Sequence, residues 1–293
     1  MNINNVTGLE KPILKLIEVV SEGLGETANA VIGFDARKIK RIGLAEAEVE
    51  KNKIIKRAEG NAQAIEILYR ASNRFSLEQY NKQINLENII VGSRELLTGK
   101  EVSDEPVDKD WSFKFMNIAQ DISRDDMQKL LSKILTEEIK NPNSFSLRTL
   151  DFVKNLSRKD LMLFRRIAIF SDNSLVFMTK ANANEGFSGI TYAEIMKMAE
   201  IGFIQPTLST VYNMQNIKES SIFSINLKKG QFAFKFTKEK DKEVFPILSL
   251  STIGSELAPL IEFCEDDIIA FDRYFEDLKE FWKLKDIEVV IIN

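Results

Sequence analysis

The chain has 293 residues, of which 44% are hydrophobic and 29% charged, with a net charge of -4. It is long enough for one large or two to three small cores. It contains no histidine and a single cysteine, Cys264, which excludes Ser-His-Asp, Cys-His and His-metal chemistry as well as an intrachain disulfide.

The N-terminal residues have neither a basic region nor an apolar signal core, and no run approaches the roughly 20 apolar residues of a spanning helix. A cytoplasmic location is expected. Pro12, followed by Ile13, Leu14, Leu16, Ile17, Val19 and Val20, predicts a short amphipathic helix within residues 8–34, stopped by Gly23 and Gly25. Its stripe, centred on Leu16 and Ile17, calls for a core or a partner chain. A membrane surface is the minor alternative, because the polar face is acidic at Glu18, Glu22 and Glu26.

Residues 37–83 read as long, charged, proline-free helix with a narrow seam of Ile55, Ala58, Ala62, Ile65, Leu68 and Tyr69. A helical hairpin or an intermolecular bundle would use that seam. Residues 1–98 thus form an N-terminal amphipathic and helical region. The stretch 99–109, GKEVSDEPVDK, carries Gly, Pro and charge with little apolar content and is the expected linker.

A helical domain is expected over 110–172. Trp111, Phe115, Ile118, Ala119 and Ile122 recur at helical spacing, with Trp111 as a core anchor. Ser123 with Asp126, and Ser157 with Asp160, are spaced as helix caps, and NPNS at 141–144 reads as a turn.

The last segment, 173–293, changes period. Thr191 with Glu194 is a capping box, and Gly202 sits where that helix should end. In SIFSINLKKGQFAFKF, Phe223, Ile225 and Leu227 alternate toward a Lys229-Gly230 turn, and Phe232, Phe234 and Phe236 alternate away from it. A strand with a Thr252-capped helix follows. Then come a helix facing inward through Ile268, Phe271, Phe275, Leu278 and Trp282, and a closing EVVII strand. The fold class is therefore mainly α with a C-terminal α+β part, and the helix-then-hairpin order resembles bacterial winged-helix proteins. The recognition-helix position offers only Lys197 between Glu194 and Glu200. Lysines of the wing position, Lys228, Lys229, Lys235, Lys238, Lys240 and Lys242, either meet nucleic acid or blunt an exposed edge.

Chemistry is sparsely provided for. Asp125-Asp126 and Glu265–Asp267 lie at helix starts, where acids complement the dipole. Glu138 to Lys140 resembles the acid-x-lysine pair of metal-dependent nucleases, and a shared cleft of Glu138, Asp151 and Asp160 would favour that reading. No phosphate loop of either common type occurs. Cys264 reads as core or interface beside Leu260 and Ile261. No catalytic, metal or cofactor residue is assigned.

Taken together, KPILKLIEVVSEGLG, RIGLAEAE, RDDMQKLLSKILTEE, NPNSFSLRTL and LSTIGSELAP resemble a bacterial family of unknown function. Its N-terminal motif is similar to that of abortive-infection alpha proteins of phage-defence loci. The sparse chemistry and the N-terminal stripe predict a non-enzymatic, self-associating protein, and the resemblance implies a phage-defence role with a phage or host protein as further partner. A winged-helix DNA-binding regulator and a carboxylate-based nuclease are the alternatives.

Overall fold

The computed structural model describes residues 10–24, 62–172, 174–180, 186–206 and 210–292. The chain divides into two compact units, Met1–Lys154 and Asn155–Asn293. The first is helical among its described residues, and the second combines helices with two small antiparallel sheets.

In the first unit, α1 (Lys11–Leu24) packs on α3 (Lys109–Ala119), and α2 (Ala62–Leu97) packs along α4 (Asp125–Lys140); α5 (Leu147–Lys154) closes against α3. The stripe of α1 is spent inside this bundle: Leu16 and Val20 are fully buried, and Ile13, Ile17 and Val19 nearly so. Gly23 is a helical residue rather than a stop, because α3 lies so close that a Cβ there would sit 2.5 Å from Met116 Cγ and 2.7 Å from the Ser112 carbonyl. Gly92 serves the same end on α2, where a Cβ would meet the Ser132 hydroxyl at 2.6 Å. Around that contact Ser93 and Ser132 hydroxyls satisfy helix carbonyls, which lets two polar residues be buried between helices.

The expected linker is a strap inside the first unit. Asn155 opens the second unit, so the chain divides well beyond 99–109. Glu10 accepts from the Gly99 amide, Lys11 pairs with Asp104, and Lys15 donates to the carbonyls of Ser103 and Glu105. The Ser103 amide donates in turn to the Lys140 carbonyl at the end of α4. Low apolar content here marks a segment held by polar bonds.

The second unit opens with α6 (Arg158–Ala168), capped by the Ser157 hydroxyl as its spacing predicts. A four-stranded sheet has the order β1-β2-β6-β3, from Ser171–Asp172, Leu175–Phe177, Lys240–Ser249 and Val211–Ile217. A three-stranded sheet has the order β4-β5-β7, from Ile222–Leu227, Gly230–Phe236 and Ile287–Ile292. The hairpin β4/β5 pairs Phe223 with Phe234 and Ile225 with Phe232, the faces that alternation required, although its turn residues are Lys228 and Lys229. β5 also pairs with the terminal strand β7, so the hairpin is built into a sheet on both sides of β5.

Phe177, Phe234, Phe245 and Trp282 form one aromatic core shared by the two sheets and α9 (Ile268–Lys283). Ile268 is 38% exposed, so the inward face of α9 begins one turn later, at Phe271, and includes Tyr274, whose hydroxyl donates to the Phe177 carbonyl. Two caps lie one residue from their expected places: α4 has Arg124 at its N-cap instead of Ser123, and the short helix α8 (Thr252–Leu257) is capped by Ser251.

Candidate interaction surface

The residues that sequence patterns mark for chemistry are already engaged. Glu138 is 1% exposed and uses both carboxylate oxygens on backbone amides, Asn143 at 2.7 Å and Phe145 at 3.0 Å. It holds the NPNS turn, in which Asn143 takes φ 71°. Asp151 pairs with Lys114 in the first unit, whereas Asp160 belongs to the second and pairs with Lys197 at 2.5 Å. The three acids thus serve three separate structural contacts. Among the described residues there is no group of three or more His, Cys, Asp or Glu side chains placed to hold a metal ion.

Cys264 is exposed, which corrects the expectation that it packs in the core. It precedes a 3-10 turn, Glu265–Asp267, where buried Asp267 takes the guanidinium of Arg165. The thiol is pushed up from its ordinary value by its hydrogen bond with Asp267, with burial adding to the effect. Such a thiol is a poor nucleophile.

The helix in the recognition position is α7 (Tyr192–Glu200), entered through the full capping box of Thr191 and Glu194 and ended by Gly202 at φ 93°. Arg166 of α6 binds Glu194, and Lys197 binds Asp160 of α6, so the sole cation of this helix is spent on docking it. Burial pushes the Glu194 carboxyl up, but the Thr191 amide and hydroxyl and then Arg166 outweigh it and hold the carboxyl below its usual value. Asp160 is lowered by its hydrogen bonds to Lys197 and Ser157. The outward side chains of α7 include Tyr192 and Met196, 39% and 42% exposed.

Five of the six wing lysines are similarly committed, and Lys242 is exposed. Lys228 donates to the Pro259 carbonyl, Lys229 pairs with Asp272 and lies 5.2 Å above the Phe271 ring, Lys235 faces Glu288, and Lys238 pairs with Asp286. Lys240 pairs with Glu243, whose other oxygen faces Lys285. Each acid neutralises charge that a phosphate would otherwise meet.

What remains turned to solvent is apolar surface. On α2, Leu77, Ile84 and Val91 recur every seven residues and are 61%, 36% and 49% exposed, with Ile67 at 59% nearer the start. At about 100° per residue Leu77, Ile84 and Val91 lie within an arc of about 40°, opposite the Leu86, Ile89 and Ser93 face that meets the bundle, whereas Ile67 falls on the azimuth of buried Asn85. The seam read from the sequence ran along other rows, of which Tyr69 is 43% exposed and Leu68 half-buried. Leu16 and Ile17 are core, Ile65 is half-buried and Ala62 begins α2, while Ile55 and Ala58 lie outside the described residues. Strict seven-residue spacing from Leu77 was the available signal.

The two units define a mixed protein, helical first and α+β second, with two antiparallel sheets in its C-terminal part. It belongs to the family described as "Protein of unknown function (DUF2806)", whose pattern spans residues 69–270. Neither a curated protein nor a solved structure matches the chain. No helix among the described residues is long and apolar enough to cross a membrane.

Proposed function

We propose that this protein acts by association with a second copy of itself, through the outward stripe of α2, and not by catalysis. The observation that carries the proposal is the exposed row of Leu77, Ile84 and Val91. A strict seven-residue repeat drifts on a straight helix but stays in contact when two helices wind around each other. Asn81, exposed beside that row, supplies a polar seam position of the kind that fixes register at some cost in stability, while Asn88 already donates to Gln128 of α4 at 3.2 Å.

The N-terminal likeness to abortive-infection alpha proteins, in residues 11–25 and 41–48, supports a phage-defence role in the bacterial cytoplasm, with a phage or host protein as trigger. The second unit is read as winged-helix-like in element order alone, since Lys197 and five of the six wing lysines, all but Lys242, are engaged internally.

Light scattering on the full chain tests the association. The parent is expected as a dimer or larger, and Leu77→Asp with Ile84→Asp as a smaller species of unchanged circular dichroism, since both sites face water. A parent that stays monomeric at every concentration ends the proposal. Phage protection lost in the same double variant would join association to defence.

A further inference from the structure

The four-stranded sheet has two edges of unlike character. β1 is two residues long, whereas β3 is a seven-residue strand whose outer side has no strand beside it among the described residues. Natural proteins blunt such an edge with charges, proline or a bulge. β3, VYNMQNI, carries no charge or proline, and its register with β6 is regular from Val211↔Pro246 to Gln215↔Lys242, with the irregularity confined to Asn216 at φ 54°, before Ile217↔Lys240. It closes an uncharged run from Ile201 to Ile217 in a chain that is 29% charged. Burial does not account for this composition. Val211 and Tyr212 are 43% and 37% exposed, Asn213, Gln215 and Asn216 are exposed too, and only Ile217 is buried.

The hydrogen-bond phase tells which groups are on offer. The Thr210 carbonyl accepts from the Ile247 amide, so position 210 and, by alternation, Tyr212 and Met214 turn their backbone groups toward β6. Val211, Asn213 and Gln215 therefore aim theirs at the free edge.

We propose that β3 pairs antiparallel with β3 of a second copy, about a two-fold axis at Asn213. That register sets Asn213 opposite its own copy and Val211 opposite Gln215 of the other strand, using every outward group. It joins four strands from each copy into one continuous sheet. A two-fold contact brings each residue near its equivalent, so a charge at the centre of the strand would repel itself. An uncharged strand is what such an edge requires, while a partner strand bearing charges would desolvate them against β3 with no counter-charge. The β3 edge lies in the second unit and the α2 stripe in the first, so the two contacts are separable by mutation. A chain with two self-pairing surfaces assembles beyond a dimer.

The test uses the full chain in the parent and in the Leu77→Asp/Ile84→Asp background. In that background light scattering should still show a dimer. Asn213→Lys alone and Asn213→Glu alone should each give monomer, with unchanged thermal unfolding, and an equimolar mixture of the two should restore the dimer. Restoration by opposite charges separates a broken contact from a broken fold. A monomer before any change at Asn213, or a dimer indifferent to both charges, overturns the β3 pairing. In the first case the α2 proposal stands if the parent is dimeric. A monomeric parent overturns both.

Discussion

Removing the carboxylate of Glu138 should destabilise the first unit, and the size of the loss follows from its two acceptor bonds. The Phe145 amide is buried and the Asn143 amide half-buried, at 3.0 Å and 2.7 Å from the two oxygens. Glu138→Ala strips both of their acceptor. The cost is about 1–3 kcal/mol for the buried donor and about 0.5–1.5 kcal/mol for Asn143, which water can partly re-solvate, giving about 1.5–4.5 kcal/mol together. Glu138→Gln keeps one acceptor oxygen but turns an amide donor toward the other N–H, so it should fall between parent and alanine. Urea unfolding followed by tryptophan fluorescence suits the measurement. The two tryptophans fall one to each unit, and the Trp111 indole donates to the Phe145 carbonyl at 2.9 Å, next to the turn in question. The Trp111 transition should move to lower urea in the order Gln, then Ala, while that of Trp282 stays put. An acid kept for chemistry behaves in the opposite way, because removing a strained functional charge commonly stabilises. A Glu138→Ala protein within about 0.5 kcal/mol of the parent, or more stable than it, would refute the structural assignment.

Leu16→Asp places a carboxylate where the leucine is fully buried and should cost at least the about 2–5 kcal/mol of a buried Leu→Ala change. Hydrogen exchange should therefore rise across α1 and α3 with the second unit unchanged, and normal protection of α1 would show that Leu16 is not core. The paired acids of the second unit set a pH dependence. Asp160 and Glu194 titrate below their ordinary values in the folded protein, so their contribution is present above the ordinary carboxylate range and is lost as pH falls through the depressed values. Urea midpoints of the second unit should drop from about pH 6 to about pH 3, less so for Asp160→Asn with Glu194→Gln, and an identical acid limb in both proteins would contradict the pairings.

Local physics was readable from residue order. The box of Thr191 and Glu194, the Ser157 cap and the Gly202 stop each depend on a side chain and amides within three or four residues, which any segment of that sequence carries with it. The alternation of Phe223, Ile225, Phe232 and Phe234 likewise specified hairpin faces, since a strand has only two sides. The apolar row of Trp111, Phe115, Ile118 and Ala119 named the buried face of α3 in the same local way, and the lack of histidine closed whole classes of chemistry.

Partners distant in sequence were decided only by the tertiary structure. Nothing in GKEVSDEPVDK foretells that Glu10, Lys11 and Lys15 will bind it, because those bonds span about ninety residues and leave the segment looking like a linker. A lysine-rich hairpin reads as a wing until Asp272, Asp286 and Glu288, more than forty residues downstream, are found beside it. Gly23 reads as a helix stop until α3 is seen pressed against it. An apolar stripe announces that it must be covered, but whether its own chain covers it, as for Leu16, or leaves it to water, as for Leu77, depends on where the neighbouring helices end. Capping and alternation are short-range properties of the chain, whereas charge pairing and exposure are set by which distant surfaces the fold brings together.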